Sequence, residues 1–245
     1  MGARRALRLG GSVIEQTPEG WWVIKEDECI SKWVREEKRL DYDQPLLRFI
    51  LPHIHPGDTV VDVGASIGDH TIAYLATVGD RGTVIAYEPN PDAFNCLELN
   101  CPMALREPYA LGNQIGPATL NLFSEADPRR AHVDLKGFNQ GHRTNIRMTM
   151  LDRKIPTYHV DFIKIDVEGW ESEVLKGAAD LIERCRPFLW IEHAPALESQ
   201  CGLDHGEVRK FIEDHRYSVS FLNGRDWDAE YDELFCSPLP SPDLK

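Results

Sequence analysis

The stretch Val60-Val61-Asp62-Val63-Gly64-Ala65-Ser66-Ile67-Gly68 decides the fold that this chain adopts. An apolar, β-branched run ends there in an acid and a glycine turn, and residues 69–78 continue with helical spacing. This order is typical of the first strand, turn and helix of an α/β unit whose turn binds a nucleotide-like cofactor. It therefore predicts an open α/β sheet with a ligand at the carboxyl ends of its strands.

Composition limits the partners that the chain can have. Its 245 residues suit one α/β domain with short extensions. The balance of 27 Lys and Arg against 40 Asp and Glu gives a net charge of −13, which disfavours binding to a nucleic-acid backbone. No apolar run approaches the roughly 20 residues that span a bilayer, and the basic start lacks the apolar core of a signal peptide. We therefore expect a cytoplasmic protein with no nucleic-acid or membrane partner.

The α/β unit is preceded and followed by shorter segments. A hairpin over residues 12–25 and a charged helix over about 28–40 predict an N-terminal extension, residues 1–41, that acts as a lid or as a contact in a homodimer. Residues 42–236 form the cofactor-binding domain in this interpretation. The proline-rich residues 237–245 are typical of a frayed tail.

Acidic residues follow most of the predicted strands. The five strand ends are Asp62 to Gly64, Glu88, Ala110, Asp166 to Gly169, and Glu192-His193. Ligands bind at these ends in open α/β sheets, so the concentration of acids there is the main functional signal. Glu88, 26 residues after Asp62, is placed to accept hydrogen bonds from both hydroxyls of a ribose.

NAD and S-adenosyl-L-methionine (SAM) both carry a ribose that Glu88 could bind, and the residues of the turn indicate which of the two is favoured. A dinucleotide site prefers G-x-G-x-x-G, but Ser66 and Asp69 occupy the second and third glycine positions here. SAM carries no phosphate, and its ammonium group would suit Asp62. Backbone N–H groups at the helix start near Thr71 would suit its carboxylate. SAM is therefore favoured, and an NAD-dependent oxidoreductase stays as the alternative.

A lysine stands inside the predicted buried strand that precedes Asp166. Alternation along a strand places Lys164 and Asp166 on one face. A buried lysine is costly unless it is paired, so we expect Asp166 or Glu192 to be its partner. A structural ion pair is one interpretation. In the functional one, Asp166 lies beside the transferable methyl group and Glu168 lies at the mouth of the substrate site.

Taken together, these motifs resemble the FkbM family of SAM-dependent methyltransferases over residues 45–195. The matching segments are Val61 to Gly68, Glu88-Pro89-Asn90, Ala110-Leu111-Gly112, Leu151-Asp152, and the more specific run from Ile165-Asp166-Val167-Glu168-Gly169-Trp170-Glu171 to Val174-Leu175 and Gly177-Ala178. The resemblance implies an α/β class I methyltransferase, a Rossmann-like three-layer sandwich whose seven-stranded, mostly parallel sheet has an antiparallel last strand. It also implies methyl transfer to a hydroxyl of a small acceptor such as a sugar or polyketide.

The resemblance also suggests site residues. It implies that Asp62, Gly64 and Gly68 hold the methionine end, Glu88 the ribose, and that Ala110 lies beside adenine. The full expected set for the cofactor and its product S-adenosyl-L-homocysteine (SAH) is Asp62, Gly64, Ala65, Gly68, Thr71, Glu88, Pro89, Asn90, Ala110 and Asp166.

Methylation of a hydroxyl requires removal of its proton. The candidate catalytic residues are Asp166, Glu168, His193 and Lys164, with His142 as a further candidate base in the polar stretch 124–143. Several carboxylates could hold Mg²⁺ for a diol-like acceptor, but we expect no metal. A methyltransferase of peptides or proteins stays as an alternative, because an acidic cleft could hold a cationic acceptor.

Overall fold

The computed structural model describes residues 5–9, 12–27, 29–122, 131–133, 142–204, 206–224 and 226–240. Most of the polar stretch 124–143 lies outside these residues, as does the side chain of His142. The end of the expected tail, residues 241–245, also lies outside them. Within the described part of the chain, no helix is both long and apolar enough to cross a bilayer.

The N-terminal segment forms a small antiparallel sheet and a helix. Its elements are β1 (Ala6–Leu9), β2 (Ser12–Gln16), β3 (Trp22–Ile24) and α1 (Ile30–Glu37). The predicted hairpin is confirmed, because β2 pairs antiparallel with β3. This segment packs on the rest of the protein, and Asn100 bonds through its side chain to both the N–H and the carbonyl of Trp22. The role of lid or subunit contact stays a prediction.

The remaining elements alternate between strands and helices. The strands are β4 (Thr59–Val63), β5 (Thr83–Tyr87), β6 (Leu105–Glu107), β7 (Ala110–Leu111), β8 (Gly116–Leu122), β9 (Ala131–Val133), β10 (His142–Thr149), β11 (Phe162–Ile165), β12 (Phe188–His193), β13 (Tyr217–Phe221) and β14 (Asp232–Pro238). The helices are α2 (Gln44–Ile50), α3 (Thr71–Val78), α4 (Pro91–Asn100), α5 (Leu151–Lys154), α6 (Glu171–Lys176), α7 (Ala179–Cys185), α8 (Pro195–Gln200) and α9 (Gly206–Asp214). Short 3₁₀ helices cover Leu51–His53 and Gly79–Arg81.

Seven of these strands form the main sheet, in the order β13-β14-β12-β11-β4-β5-β6. Strand β14 runs antiparallel to both of its neighbours, β12 and β13, whereas the pairs from β12 to β6 are parallel. The predicted mostly parallel sheet with an antiparallel last strand is thus confirmed. The last strand lies one place in from the edge and extends to Pro238, two residues into the expected tail.

The two faces of the main sheet are covered separately, which gives the predicted three layers. On one face Val61, Ile163 and Leu189 pack with residues of α6, α7 and α9. On the other face Phe162 and Trp190 pack with residues of α2 and α3. Strand residues are buried on both sides because parallel strands lie in the interior of an α/β protein.

The predicted end of the third strand is wrong. The third strand of the main sheet ends at Glu107, and Ala110 belongs instead to β7 in a separate sheet of order β7-β10-β8-β9. Pro108 has no N–H to donate to the ladder, and the N–H of Tyr109 turns back to the carbonyl of Glu107 at 2.9 Å. The chain therefore leaves the main sheet before it reaches Ala110.

Candidate active site

A cavity of about 560 Å³ opens at the carboxyl ends of the main-sheet strands. Its wall includes the turn after β4, the tip of β5, and the ends of β11, β12 and β14, together with parts of the N-terminal segment. Ligands bind at this edge in open α/β folds, and the cavity has the size of a small-molecule site. The strand ends thus define one candidate site.

The glycine turn brings β4 into direct contact with β11. Gly64 has a φ of 79°, and a Cβ placed on it would lie 1.9 Å from the carbonyl oxygen of Asp166. Only glycine fits this left-handed position and this close approach of two backbones. The carbonyl of Gly64 in turn accepts a hydrogen bond of 2.6 Å from Nζ of Lys164. The turn and the end of β11 therefore form one unit.

Glu88, at the tip of β5, is held by backbone N–H groups. Its Oε2 accepts from the N–H of Ser66 at 2.8 Å, and its Oε1 accepts from the N–H of Asn90 at 2.7 Å. Burial raises the pKa of Glu88 to about 7, although these two hydrogen bonds act in the opposite direction. Each carboxylate oxygen has a second lone pair, so Glu88 can still accept hydrogen bonds from a ligand in the cavity.

Lys164 links the two sides of the cavity. It is only 2% exposed, and its Nζ lies 3.3 Å from Asp166 and 3.5 Å from Asp62. Burial acts to lower the pKa of Lys164, but Asp166, Asp62 and Asp69 outweigh it and raise the pKa above the ordinary value. Lys164 is therefore a permanent cation and not a proton acceptor.

The loop after β11 has an unusual backbone. Glu168 lies in the left-handed region with a φ of 56°, and Gly169 follows with a φ of 97°. The buried Glu171 accepts from the N–H groups of Val167 at 3.0 Å and of Gly169 at 3.2 Å. Because a non-glycine residue with this φ is strained, these bonds hold Glu168 in its place in the cavity wall.

Further cavity residues come from β12 and from the region of β14. Glu192 and Glu233 are direct partners in the register of the two strands, and both line the cavity. Glu233 accepts from Nε1 of Trp190 and from the hydroxyl of Tyr231. Burial raises the pKa of Glu233 to about 7, with Asp166 adding to the shift. These carboxyls extend the acidic wall beyond Asp166.

The FkbM methyltransferase domain, as a family model, matches residues 62–219 of the chain. These residues contain both the glycine turn and the β11–β12 part of the cavity. The chain belongs to the FkbM methyltransferase family. It is accordingly a SAM-dependent methyltransferase, and the resemblance noted in its sequence is confirmed.

Several known proteins are similar to this FkbM methyltransferase. The hexuronic acid methyltransferase AglP of Haloferax volcanii is 27% identical over 190 residues, which cover 76% of this chain and 74% of that protein. Fibrillarin of Aeropyrum pernix, solved with natively bound SAM, shares the fold with a TM-score of 0.50 and 10% identity, over 96% of this chain and all of its own. The methyltransferase FkbM of Methylobacillus flagellatus KT matches with 19% identity and a TM-score of 0.48 over 74% of this chain. The matched region is 43% of that longer chain.

Most site residues expected of an FkbM methyltransferase line the cavity. They are Gly64, Glu88, Pro89, Asn90, Ala110, Lys164, Asp166 and Glu168. Ala110 reaches the cavity although it leaves the main sheet. The expected ion pair between Lys164 and Asp166 is present, with Asp62 as a second carboxylate partner. The assignment of individual residues to parts of the cofactor stays a prediction.

The other expected cofactor residues lie behind the cavity wall. Asp62 is fully buried, and its Oδ2 accepts from the hydroxyl of Thr71 at 2.6 Å, so the pair ties the start of α3 to β4. Ala65 and Gly68 are in the turn but outside the lining. Gly68, with a φ of 97°, lies so close to Cys101 that a Cβ would be 2.6 Å from its Sγ. These residues shape the turn that faces the cavity.

His193 also faces away from the cavity. Its Nδ1 lies 3.5 Å from Glu198, and its Nε2 lies 3.2 Å from the carbonyl oxygen of Trp227. Burial lowers the pKa of His193, but the nearby Glu198 carboxylate and the carbonyl of Trp227 outweigh it and raise the pKa. This position favours a role in holding the loop after β12 over contact with a substrate.

The sequence did not single out Glu233, Tyr231 or Trp190. Trp190 could have been found from alternation, because it is two residues before Glu192 on the same strand and face. Glu233 had no such signal, since its place depends on the pairing of β14 with β12. Among the described residues, no three His, Cys, Asp or Glu side chains are arranged to hold a metal ion. The expectation of no metal stays a prediction.

Proposed function

We propose that this FkbM methyltransferase transfers the methyl group of SAM to a hydroxyl group of a small, sugar-like acceptor. The observation that carries the proposal is the position of Lys164. Its ammonium group lies 2.6 Å from the carbonyl oxygen of Gly64 and 3.3 Å from Asp166. Lys164 thereby connects the Gly64 turn, where we expect the donor, with Asp166. Asp166 is the carboxylate best placed to receive the proton of the acceptor.

The residues on the β4–β5 side fit SAM. Glu88 keeps free lone pairs toward the cavity for the ribose hydroxyls, and the turn at Gly64 leaves room for the methionine end. Ala110 and Tyr109 line the wall where adenine would lie. Bound SAM would supply an electrophilic methyl group on its sulfonium. The chain's task is then to align an acceptor oxygen and to remove its proton.

Asp166 is the residue that we assign to proton removal. It lines the cavity, and its side chain is 33% exposed, so an acceptor hydroxyl can reach it. Lys164 holds this carboxylate in place through the ion pair between them. Glu168 lies in the same wall and would contact the acceptor at the cavity mouth. We assign no catalytic role to His193, which faces away.

The similarity to AglP and the polar wall of the cavity both support a sugar as the acceptor. AglP of Haloferax volcanii acts on a hexuronic acid, which is a sugar with several hydroxyl groups. The wall of the cavity combines carboxylates with the indole rings of Trp170 and Trp190, and this combination suits a polyhydroxylated ring. A folded protein would be a poor fit for a cavity of about 560 Å³.

Two measurements test the proposal. Calorimetry with SAH tests the donor site, and absence of binding would overturn it. Radiolabelled SAM is then incubated with the protein and with monosaccharides, disaccharides, peptides or a cell extract. Label in sugars that resists mild base, which would hydrolyse a methyl ester, and that mass spectrometry of the product places on a ring oxygen supports methylation of a hydroxyl. Label only in proteins or peptides would replace the proposal with the peptide alternative.

A further inference from the structure

Two glutamates face each other across neighbouring strands at one end of the cavity. Glu192 on β12 and Glu233 on β14 are direct partners in the antiparallel register. Both are buried, with 9% and 8% of their surface exposed. Like charges directly opposite on a sheet are destabilising, so this pair calls for a proton or a cation between the carboxyl groups.

One of the oxygens at this end has no partner. Oε2 of Glu192 is buried and makes no hydrogen bond, although Glu192 lines the cavity. Burial raises the pKa of Glu192 well above its ordinary value, and neighbouring acids add to the shift. The acids that face it are Asp166, Glu168, Glu171 and Glu233. A buried polar atom without a partner is costly, so on a residue that lines a cavity it is a group that a ligand can satisfy.

The protein itself provides little compensating charge. Among the described residues that line the cavity, Lys164 is the one lysine or arginine, against acids on every strand end. Its charge is already shared between Asp62 and Asp166. Glu233 accepts hydrogen bonds from Trp190 and Tyr231, so Oε2 of Glu192 is the buried oxygen of this pair that is left without a partner.

The ammonium group of the donor does not meet this need. Glu88, where the ribose is expected, follows the end of β5, and Glu192 lies three strands away on β12. Strands are about 4.8 Å apart, so the two positions are separated by roughly 14 Å, and Glu233 lies one strand further. The donor's methionine end is expected at the Gly64 turn, between these positions. The two glutamates therefore belong to the acceptor side.

From these contacts, and on the basis of the proposed function, we infer that Glu192 and Glu233 form a subsite for a protonated amine carried by the acceptor. The acceptor would then be an amine-bearing polyhydroxy compound, of the amino-sugar class, methylated on a hydroxyl. Trp190 holds this pair in place, because its Nε1 donates a hydrogen bond to Glu233.

The test compares ligands that differ in charge. Binding of glucosamine, N-acetylglucosamine and glucuronate to the SAH-loaded protein is measured by calorimetry near neutral pH. We expect glucosamine to bind about tenfold to a hundredfold more tightly than the other two, as a charge-assisted hydrogen bond would give. Glu192→Gln keeps the shape of the side chain and should bring this preference below about threefold.

Two variants control the result. Glu98→Gln removes one negative charge from an exposed position outside the cavity and should keep the full preference. Glu233→Gln is a second variant at the subsite, and it should reduce the preference even if Glu192→Gln fails to fold. Thermal unfolding of each variant establishes that it is folded.

Three results would overturn the inference. They are equal binding of the three sugars, preference for glucuronate, and no binding of any of them to protein that binds SAH. Binding of Mg²⁺ at the two glutamates in place of glucosamine would overturn it as well. Methylation of neutral sugars with no preference for an amine would leave the proposed function intact, whereas failure to bind SAH would remove both.

Discussion

The two halves of the cavity satisfy their charges in different ways. In the donor half, at the ends of β4 and β5, Glu88 accepts hydrogen bonds from the N–H groups of Ser66 and Asn90. In the acceptor half, at the ends of β12 and β14, Glu192 and Glu233 face each other, and a buried oxygen of Glu192 has no partner. Glu88 has hydrogen-bond partners without a ligand, whereas Oε2 of Glu192 has none.

This difference indicates how the two halves are used. A carboxylate held by backbone donors is preorganised, so it can bind the same donor molecule in every catalytic cycle at little cost. Two opposed carboxyl groups destabilise the site until a ligand binds between them. The relief of this repulsion can then favour one ligand over another. Asp166 and Lys164 lie between the halves, and variants there test whether the halves can be separated.

The largest effect is expected from Asp166→Asn. The asparagine fills the same space but cannot take the acceptor's proton, so kcat should fall by about 10²- to 10⁴-fold. The affinity for SAH should stay within about threefold, because the donor half is unchanged. Steady-state kinetics and SAH calorimetry measure the two effects.

The matched control for that variant is Asp161→Asn. Asp161 immediately precedes β11, whereas Asp166 immediately follows it. Asp161 has a similar side-chain exposure of 31%, but it accepts from the N–H of Thr59 and lies outside the cavity. Its activity should stay within about threefold of the wild type. Equal losses in both variants would show that Asp166 is a structural residue, and that the acceptor half lacks the assigned base.

The next effect concerns the connection between the halves. Lys164→Met would leave Asp62 and Asp166 without their cation, and removal of one partner from a buried ion pair costs about 3–5 kcal/mol. Chemical denaturation should show this loss in the free energy of unfolding. Arg209→Met is the control, since Arg209 and Glu213 form an ion pair in which both side chains are more than half exposed, and such a pair is worth less than about 1 kcal/mol. Equal stability of the two variants would contradict the role of Lys164.

The residues proposed for the donor half could be chosen from the sequence because they lie close together along the chain. Gly64, Ser66 and Glu88 lie within one strand-turn-helix-strand unit. Over such a short stretch the sequence shows the hydrophobic period, the turn residues and the spacing between motif residues. The buried Lys164 was equally readable, since a lysine in an apolar strand requires a partner. The expected partners were Asp166 or Glu192, and in the structure Lys164 pairs with Asp166 and also with Asp62.

The acceptor half was harder to predict because it depends on pairing between distant strands. Glu233 reaches the cavity only through the register of β14 against β12, and no local pattern fixes that register. Ala110 illustrates the same limit, because Pro108 ends the third strand earlier than the apolar pattern suggested. His193 follows a strand, yet the sequence does not show which way its ring points.

A smaller effect is expected from Glu88→Ala in the donor half. Loss of a charge-assisted pair of hydrogen bonds to the ribose should weaken SAH binding by about 1–3 kcal/mol, as calorimetry can measure. Glucosamine binding should change little, because Glu192 lies three strands away. Unchanged SAH affinity would refute the ribose assignment. Equal losses for both ligands would show that the halves are not independent.

The smallest expected effect is the pH dependence of donor binding. Burial raises the pKa of Glu88 to about 7, and ribose hydroxyls donate best to the ionised form. The ionised fraction rises with pH, so SAH affinity should increase by about tenfold from pH 6 to pH 8.

Burial of Glu88 also predicts the opposite trend for stability. A carboxyl whose pKa is raised on folding contributes stability at low pH, and this contribution is lost as pH rises through about 7. The melting temperature of the ligand-free protein should therefore fall from pH 6 to pH 8 while SAH affinity rises. Glu88→Gln should remove most of the rise in affinity. A slope that survives in this variant would have to come from Asp69, which also lines the cavity and has a pKa raised by burial to about 7. In that case the methionine end of the donor, and not the ribose, would be the pH-sensitive part of the donor half.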